Sequence, residues 1–173
     1  MKQIFNIFFD ICLLRAGPQD VPCNRYLLMA LLTMHVLMGI VLGSLSYSIP
    51  TAIAYGFTNM LILVVLLRAV LMVRKQPERY NQTLSAMAGT DVIIGVIAWP
   101  VSNWMITARD AGGDIGIPIM LWLLLIVWSL TIIAHILRHA LSMPWVAGFG
   151  LAILYFFIGY NVNITLFEPL PVQ

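Results

Sequence analysis

Five stretches of about 20 mostly apolar residues run along this chain, each long enough to cross the hydrocarbon core of a bilayer. They cover about 26–49, 51–73, 84–107, 117–137 and 141–167. Inside lipid a backbone must satisfy its own hydrogen bonds, and segments of this length do so as helices. The expected fold is therefore all-α, a polytopic membrane helical bundle of five transmembrane helices over 23–173, preceded by a separate segment over 1–22. Composition agrees: 61% of residues are hydrophobic and 9% charged, against about 25% charged in soluble domains.

The basic residues set a direction. Lys2, Arg15, Arg25, Arg74, Lys75, Arg79 and Arg138 fall on one side of an alternating five-span path, with Arg68 near that end of its helix. Arg109 falls on the other side, beside Asp110 and Asp114. The positive-inside rule then predicts a cytoplasmic N-terminus and a C-terminus on the periplasmic or outer side. The first apolar stretch, 4–14, carries Asn6 and Asp10 and lacks a cleavable-signal pattern, so the first span is expected to act as the insertion signal. Cys12 and Cys23 show neither Cys-x-x-Cys nor zinc spacing and read as free thiols.

Before the first span, Ile4, Ile7, Phe8, Ile11 and Leu14 recur at helical spacing, with Gln3, Asn6 and Asp10 on the opposite face. Eleven residues cannot span, so the expectation is an amphipathic interfacial helix ended by Gly17 and Pro18. It either packs on the bundle or anchors in lipid. Within the spans, small residues mark close helix packing. Gly39 and Gly43 lie in the first, Ser85 and Gly89 in the third, and Gly148 with Ala152 in the fifth. Spans one, three and five are thus expected to pack together, leaving two and four more open to lipid. Pro50 reads as a very short turn, and Pro100 as a break freeing a carbonyl near the outer side. Trp104 and Trp145 fit the interfaces, and Trp99, Trp122 and Trp128 read as packing residues.

Ionisable groups within spans are the first candidates for function. Arg68 and Asp91 lie at similar expected depth, which predicts an ion pair between the second and third helices. His35 is a candidate titratable or hydrogen-bonding group in the first span. Asn59, Asn103, Asn161 and Asn163 all lie toward the outer side and could form a polar network. His135 and His139 have i, i+4 spacing, but no third ligand completes a metal set, so no metal is expected. No His-Glu-x-x-His, Gly-x-Ser-x-Gly or phosphate-binding glycine loop occurs, so no catalytic residue or cofactor is expected. No basic stripe points to nucleic acid.

Just before the first span stands Leu14-Arg15-Ala16-Gly17-Pro18-Gln19-Asp20-Val21-Pro22. Together with five helices and a short outer tail, it resembles the Pro- and Asp-containing lead-in of bacterial relatives of the Yip family, the Rab-interacting membrane proteins. The likeness covers the whole chain as topology and these nine residues as motif. The chain lacks the Asp-Leu-Tyr-Gly-Pro-type motif and the longer cytoplasmic region of eukaryotic members. What the resemblance implies is a membrane-organising or adaptor protein of the cell's inner (plasma) membrane, with no catalytic residues to carry over.

Two functional expectations follow. One is a non-enzymatic membrane protein that binds the lipid bilayer and another membrane protein or a second copy of itself. The other is a small oligomeric transporter or channel component using Arg68 and Asp91.

Overall fold

The computed structural model describes residues 2–167, with side chains described from residue 4. Six α-helices follow one another: α1 (Lys2–Cys12), α2 (Arg25–Gly43), α3 (Ile49–Val73), α4 (Tyr80–Asp110), α5 (Gly116–Ala140) and α6 (Trp145–Leu166). All but α1 are long and apolar enough to cross a membrane, and the chain is a multi-pass membrane protein built as an all-α bundle.

Local chemistry sets most ends. Asn24 caps α2, its side-chain oxygen accepting from the Tyr26 and Leu27 N–H groups at 2.8 and 3.4 Å. Ser48 precedes α3, and Pro50 sits in its first turn, where a missing N–H leaves no bond unmade. The stretch between α2 and α3 is therefore the turn 44–48, with Pro50 inside the second span and not between spans. The last span likewise begins later than expected, at Trp145, because Pro144 lies just ahead of it as N-cap. Pro100 lies within α4, which runs through it unbroken.

Several helices close with a left-handed residue after the last turn. At α3 it is Lys75 (φ 55°), with Gln76 N–H donating to Leu71 O at 2.9 Å. At α4 it is Gly112 (φ 64°), with Gly113 donating to Ala108 O at 2.8 Å, and at α5 it is Ser142 (φ 50°), with Met143 donating to Arg138 O at 3.0 Å. Each recovers carbonyls that a helix end leaves unpaired.

The spans form a ring in the order α3, α2, α4, α5, α6. The end holding Arg25, Arg74, Arg79 and Arg138 is here the basic end, and the other the far end. Gly39 and Gly56 let α2 and α3 cross closely, since a Cβ on Gly39 would stand 3.0 Å from the Gly56 Cα. Gly43 meets Ala52 and Tyr55 of the same helix. The small residues of the first span thus seat α3. Gly148 packs α6 on α5, where a Cβ would come within 2.7 Å of Ala134 O. The expected grouping of spans one, three and five holds for α2 with α4 and fails for α6, which leans on α5. The helix most covered by protein is α4, and the least covered is α6 rather than the second or fourth span.

Helix α1 adds to the burial that α2 and α5 give α4. Phe8, Ile11 and Cys12 are buried against α4 and α5, and the Phe8 ring fills the space a side chain at Gly89 would take. Ser85, one turn earlier, is also buried, so the Ser85–Gly89 stripe receives α1 rather than another span. Phe5 and Phe9 stay exposed on the outer face of α1, their rings stacked 6.4 Å apart.

Candidate functional site

Residues 14–22 tie α1 into the bundle. Leu14 takes a left-handed turn (φ 61°), and the Arg15 N–H donates to Asp10 O at 2.8 Å. Gly17 then caps a 3-10 turn over Pro18–Asp20, with its N–H donating to Asp20 Oδ2 at 2.8 Å. Three side chains of the spans grip this connection. Trp128 Nε1 donates to Cys12 O at 2.9 Å, His135 Nε2 lies 2.9 Å from Ala16 O, and Gln82 Nε2 donates to Val21 O at 3.0 Å. Trp128 thus does more than pack, whereas Trp99 and Trp122 turn outward to the bundle's surface.

The ionisable pair inside the bundle is His35 with Asp91. Nδ1 of His35 stands 3.6 Å from Oδ2 of Asp91, with the side chains 11% and 25% exposed. The next turn brings Met38 against Gly95, so the face of α4 that carries Asp91 is turned to α2. His35 Nε2 is buried and has no hydrogen-bond partner. The carboxylate also acts on Cys12: burial pushes that thiol up to about 12, and the Asp91 charge adds to the effect.

The expected Arg68–Asp91 pair does not form. Because α4 starts at Tyr80, Asp91 lies 91 − 80 = 11 residues, about 16 Å, along it at about 1.5 Å per residue. Arg68 is instead level with the first turn of α4, its guanidinium 5.9 Å from the centre of the Tyr80 ring, a cation–π contact. Asp91 is met by α2, which packs on α4 more closely than α3 does.

Of the four asparagines, the structure joins two. Asn163 Nδ2 donates to Asn59 Oδ1 at 3.1 Å across α6 and α3, and the Phe167 ring packs near Tyr55 and Tyr47 at 5.8 and 6.0 Å. Asn161 turns to Phe157 O on its own helix, and Asn103 is exposed on α4. The outer network is therefore a clasp between α3 and α6.

Below that clasp the two helices part. Toward the basic end a hollow of about 40 Å³ is lined by Leu66, Val70, Met87, Leu137, Leu151 and Tyr155 among others. A second, of about 510 Å³, shares Val70 and Leu151 with it and is walled by Ala69, Val73, Ala147 and Gly150. Together they form an apolar cleft in the side of the bundle, reaching from the surface to Tyr155. No sequence pattern announced it, because it depends on α3 and α6 meeting at one end only.

Arg79 was also missed. Its Nη1 donates to His139 O, Ala140 O and Ser142 Oγ at 3.2, 2.9 and 3.0 Å, capping the end of α5. His135 and His139 stack edge to face, 4.6 Å between centroids, and Arg138 lies over the Trp145 ring at 4.9 Å. Among the described residues no group of three His, Cys, Asp or Glu is placed to hold a metal ion. The chain matches no protein-family model, no curated protein and no solved structure.

Proposed function

We propose that this is a non-enzymatic membrane-organising or partner-binding subunit that seats a transmembrane helix of another membrane protein, or of a second copy, in the α3–α6 cleft. The observation that carries this reading is Gly150. Glycine in a helix interior is unfavourable by about 1 kcal/mol relative to alanine. At Gly39, Gly56 and Gly148 a close neighbour excludes a Cβ, whereas Gly150 and Gly159 of α6 have none, and of these two Gly150 lines the cleft. At Gly150 a Cβ would meet nothing within 4 Å. Small residues in membrane helices let another backbone approach, and Ala69 and Ala147 widen the same wall. The topology in common with the Yip family supports the same reading. The charge asymmetry supports placing the N-terminus and the basic end in the cytoplasm, and the family resemblance supports an inner-membrane location.

The test is co-purification of tagged protein from membranes in mild detergent, comparing wild type with Gly150→Leu. The added side chain enters open space, so the variant should keep its melting temperature and lose the partner. Undiminished partner recovery with Gly150→Leu would remove the cleft from the account.

A small oligomeric transporter or channel component is the second reading, and one observation favours it: the unpartnered Nε2 of His35 beside Asp91. Intramembrane acid–base pairs of this kind serve proton relays. Arg68 drops out of that reading, being remote from Asp91. Loss of pH-driven uptake by Asp91→Asn in liposomes, with Gly150→Leu unaffected, would favour transport over partner binding.

A further inference from the structure

On the other side of α3 from the cleft, a groove of about 620 Å³ opens between the basic end of α3 and the first turn of α4. Arg68, Lys75 and Tyr80 form its polar wall, and Leu71, Met72 and Pro77 its apolar part. Both cations are exposed, and neither stands within 4.0 Å of a carboxylate among the described residues. The one acid in the adjoining turn, Glu78, is exposed and pairs with neither.

The position of Arg68 is the unusual part. It lies 73 − 68 = 5 residues before the end of α3, about 8 Å inside it at about 1.5 Å per residue, on the exposed side of the helix. A guanidinium on a lipid-facing surface is unfavourable unless its long stem carries it to the interface. The Tyr80 ring holds it there at 5.9 Å, and Tyr80 is itself fixed by its hydroxyl donating to Val64 O at 3.4 Å. The left-handed turn at Lys75 brings the second cation to the same groove. Two uncompensated cations at headgroup depth, over an apolar floor, match a phosphate with acyl chains attached.

We propose that this groove is a binding site for one anionic diacyl phospholipid, its phosphate held between Arg68 and Lys75 and its glycerol and upper acyl carbons lying on Met72 and Pro77. A zwitterionic lipid would add an ammonium to a wall already carrying two positive charges. The site is separate from the α3–α6 cleft and does not depend on the partner-binding reading.

The experiment uses the full chain in uncharged detergent, titrated with dioleoyl phosphatidylglycerol, dioleoyl phosphatidylcholine or inorganic phosphate. It is read by melting temperature and by native mass spectrometry. Phosphatidylglycerol should raise the melting temperature and give a one-lipid adduct, with at least tenfold weaker binding of phosphatidylcholine. The Arg68→Gln/Lys75→Gln variant should lose about tenfold in phosphatidylglycerol affinity, while Arg25→Gln, at the same end but outside the groove, should not. Equal response to both lipids in the wild type would overturn the proposal whatever the folding of the variant. So would an equal shift from inorganic phosphate alone, or unchanged affinity in the folded double variant.

Discussion

At Gly56 the backbone of α3 comes so close to α2 that a methyl group would stand 2.8 Å from Val36 O and 2.9 Å from the Ile40 side chain. Backbone cannot move aside cheaply, so Gly56→Ala should destabilise by about 1–3 kcal/mol. Gly150→Ala meets nothing and should be neutral or gain up to about 1 kcal/mol of helix propensity. Thermal melts in one detergent compare the two directly. A signal for Gly56 was present in the sequence as Ala52-x-x-x-Gly56, hidden in a span otherwise rich in Leu, Ile and Val. His35 and Asp91 were both legible as ionisable residues in spans, but their pairing was not. Partner choice depends on which helices adjoin, and chain order suggested α3 for Asp91 where α2 occupies that face. Replacing His35 by Leu leaves the Asp91 carboxylate without its counterpart, whereas His35→Leu/Asp91→Leu removes both. The double variant should therefore melt higher than the single, a coupling a double-mutant cycle would measure. Simple additivity would contradict the pairing.

The helices themselves were the most legible level, because a span's length and hydropathy fix its existence. Their ends were less so. Pro50 and Pro144 read as boundaries, yet the first belongs inside a first helical turn and the second just ahead of one. The period of Ile4, Ile7, Phe8 and Ile11 identified α1 and its inward face, but Leu14, read with them, lies past the end of the helix in a left-handed turn and is exposed. What that face meets was open, since an apolar stripe suits lipid and protein alike. The contacts from Trp128, His135 and Gln82 that settle it come from residues 61 to 119 positions away. Capping by Arg79 is of the same long-range kind. Its loss in Arg79→Ala leaves the last carbonyls of α5 without that donor, a penalty of about 1–3 kcal/mol where they are shielded from water. The melting temperature should fall, and limited proteolysis should speed up at the turn 141–144. An unchanged melt and cleavage pattern would show that water replaces the guanidinium there.

For the whole molecule, the sequence gives the number of spans and the sidedness of charge, while ring order and the cleft come from the packing. Sidedness can be checked with the two cysteines. Cys23 is exposed beside Arg25 at the basic end, and Cys12 is buried. A membrane-impermeant maleimide should spare both in intact cells and label Cys23 alone in inverted vesicles. With its thiol raised from 9.0 to about 12, Cys12 stays protonated from pH 7 to pH 9, so raising the pH over that range should not bring on labelling of Cys12. Labelling of Cys23 in intact cells would reverse the assigned orientation.

On the proposed reading, the α3–α6 cleft receives a protein helix. A photo-crosslinking residue at Val73, an exposed side chain on the cleft wall, tests this in native membranes, with Ile164, exposed on the far end of α6, as control. The expected result is a discrete protein adduct from position 73, of this chain's mass plus the partner's or of twice this chain's mass, and none from position 164. Adducts to lipid alone at position 73 would contradict it and leave the cleft a lipid-filled groove.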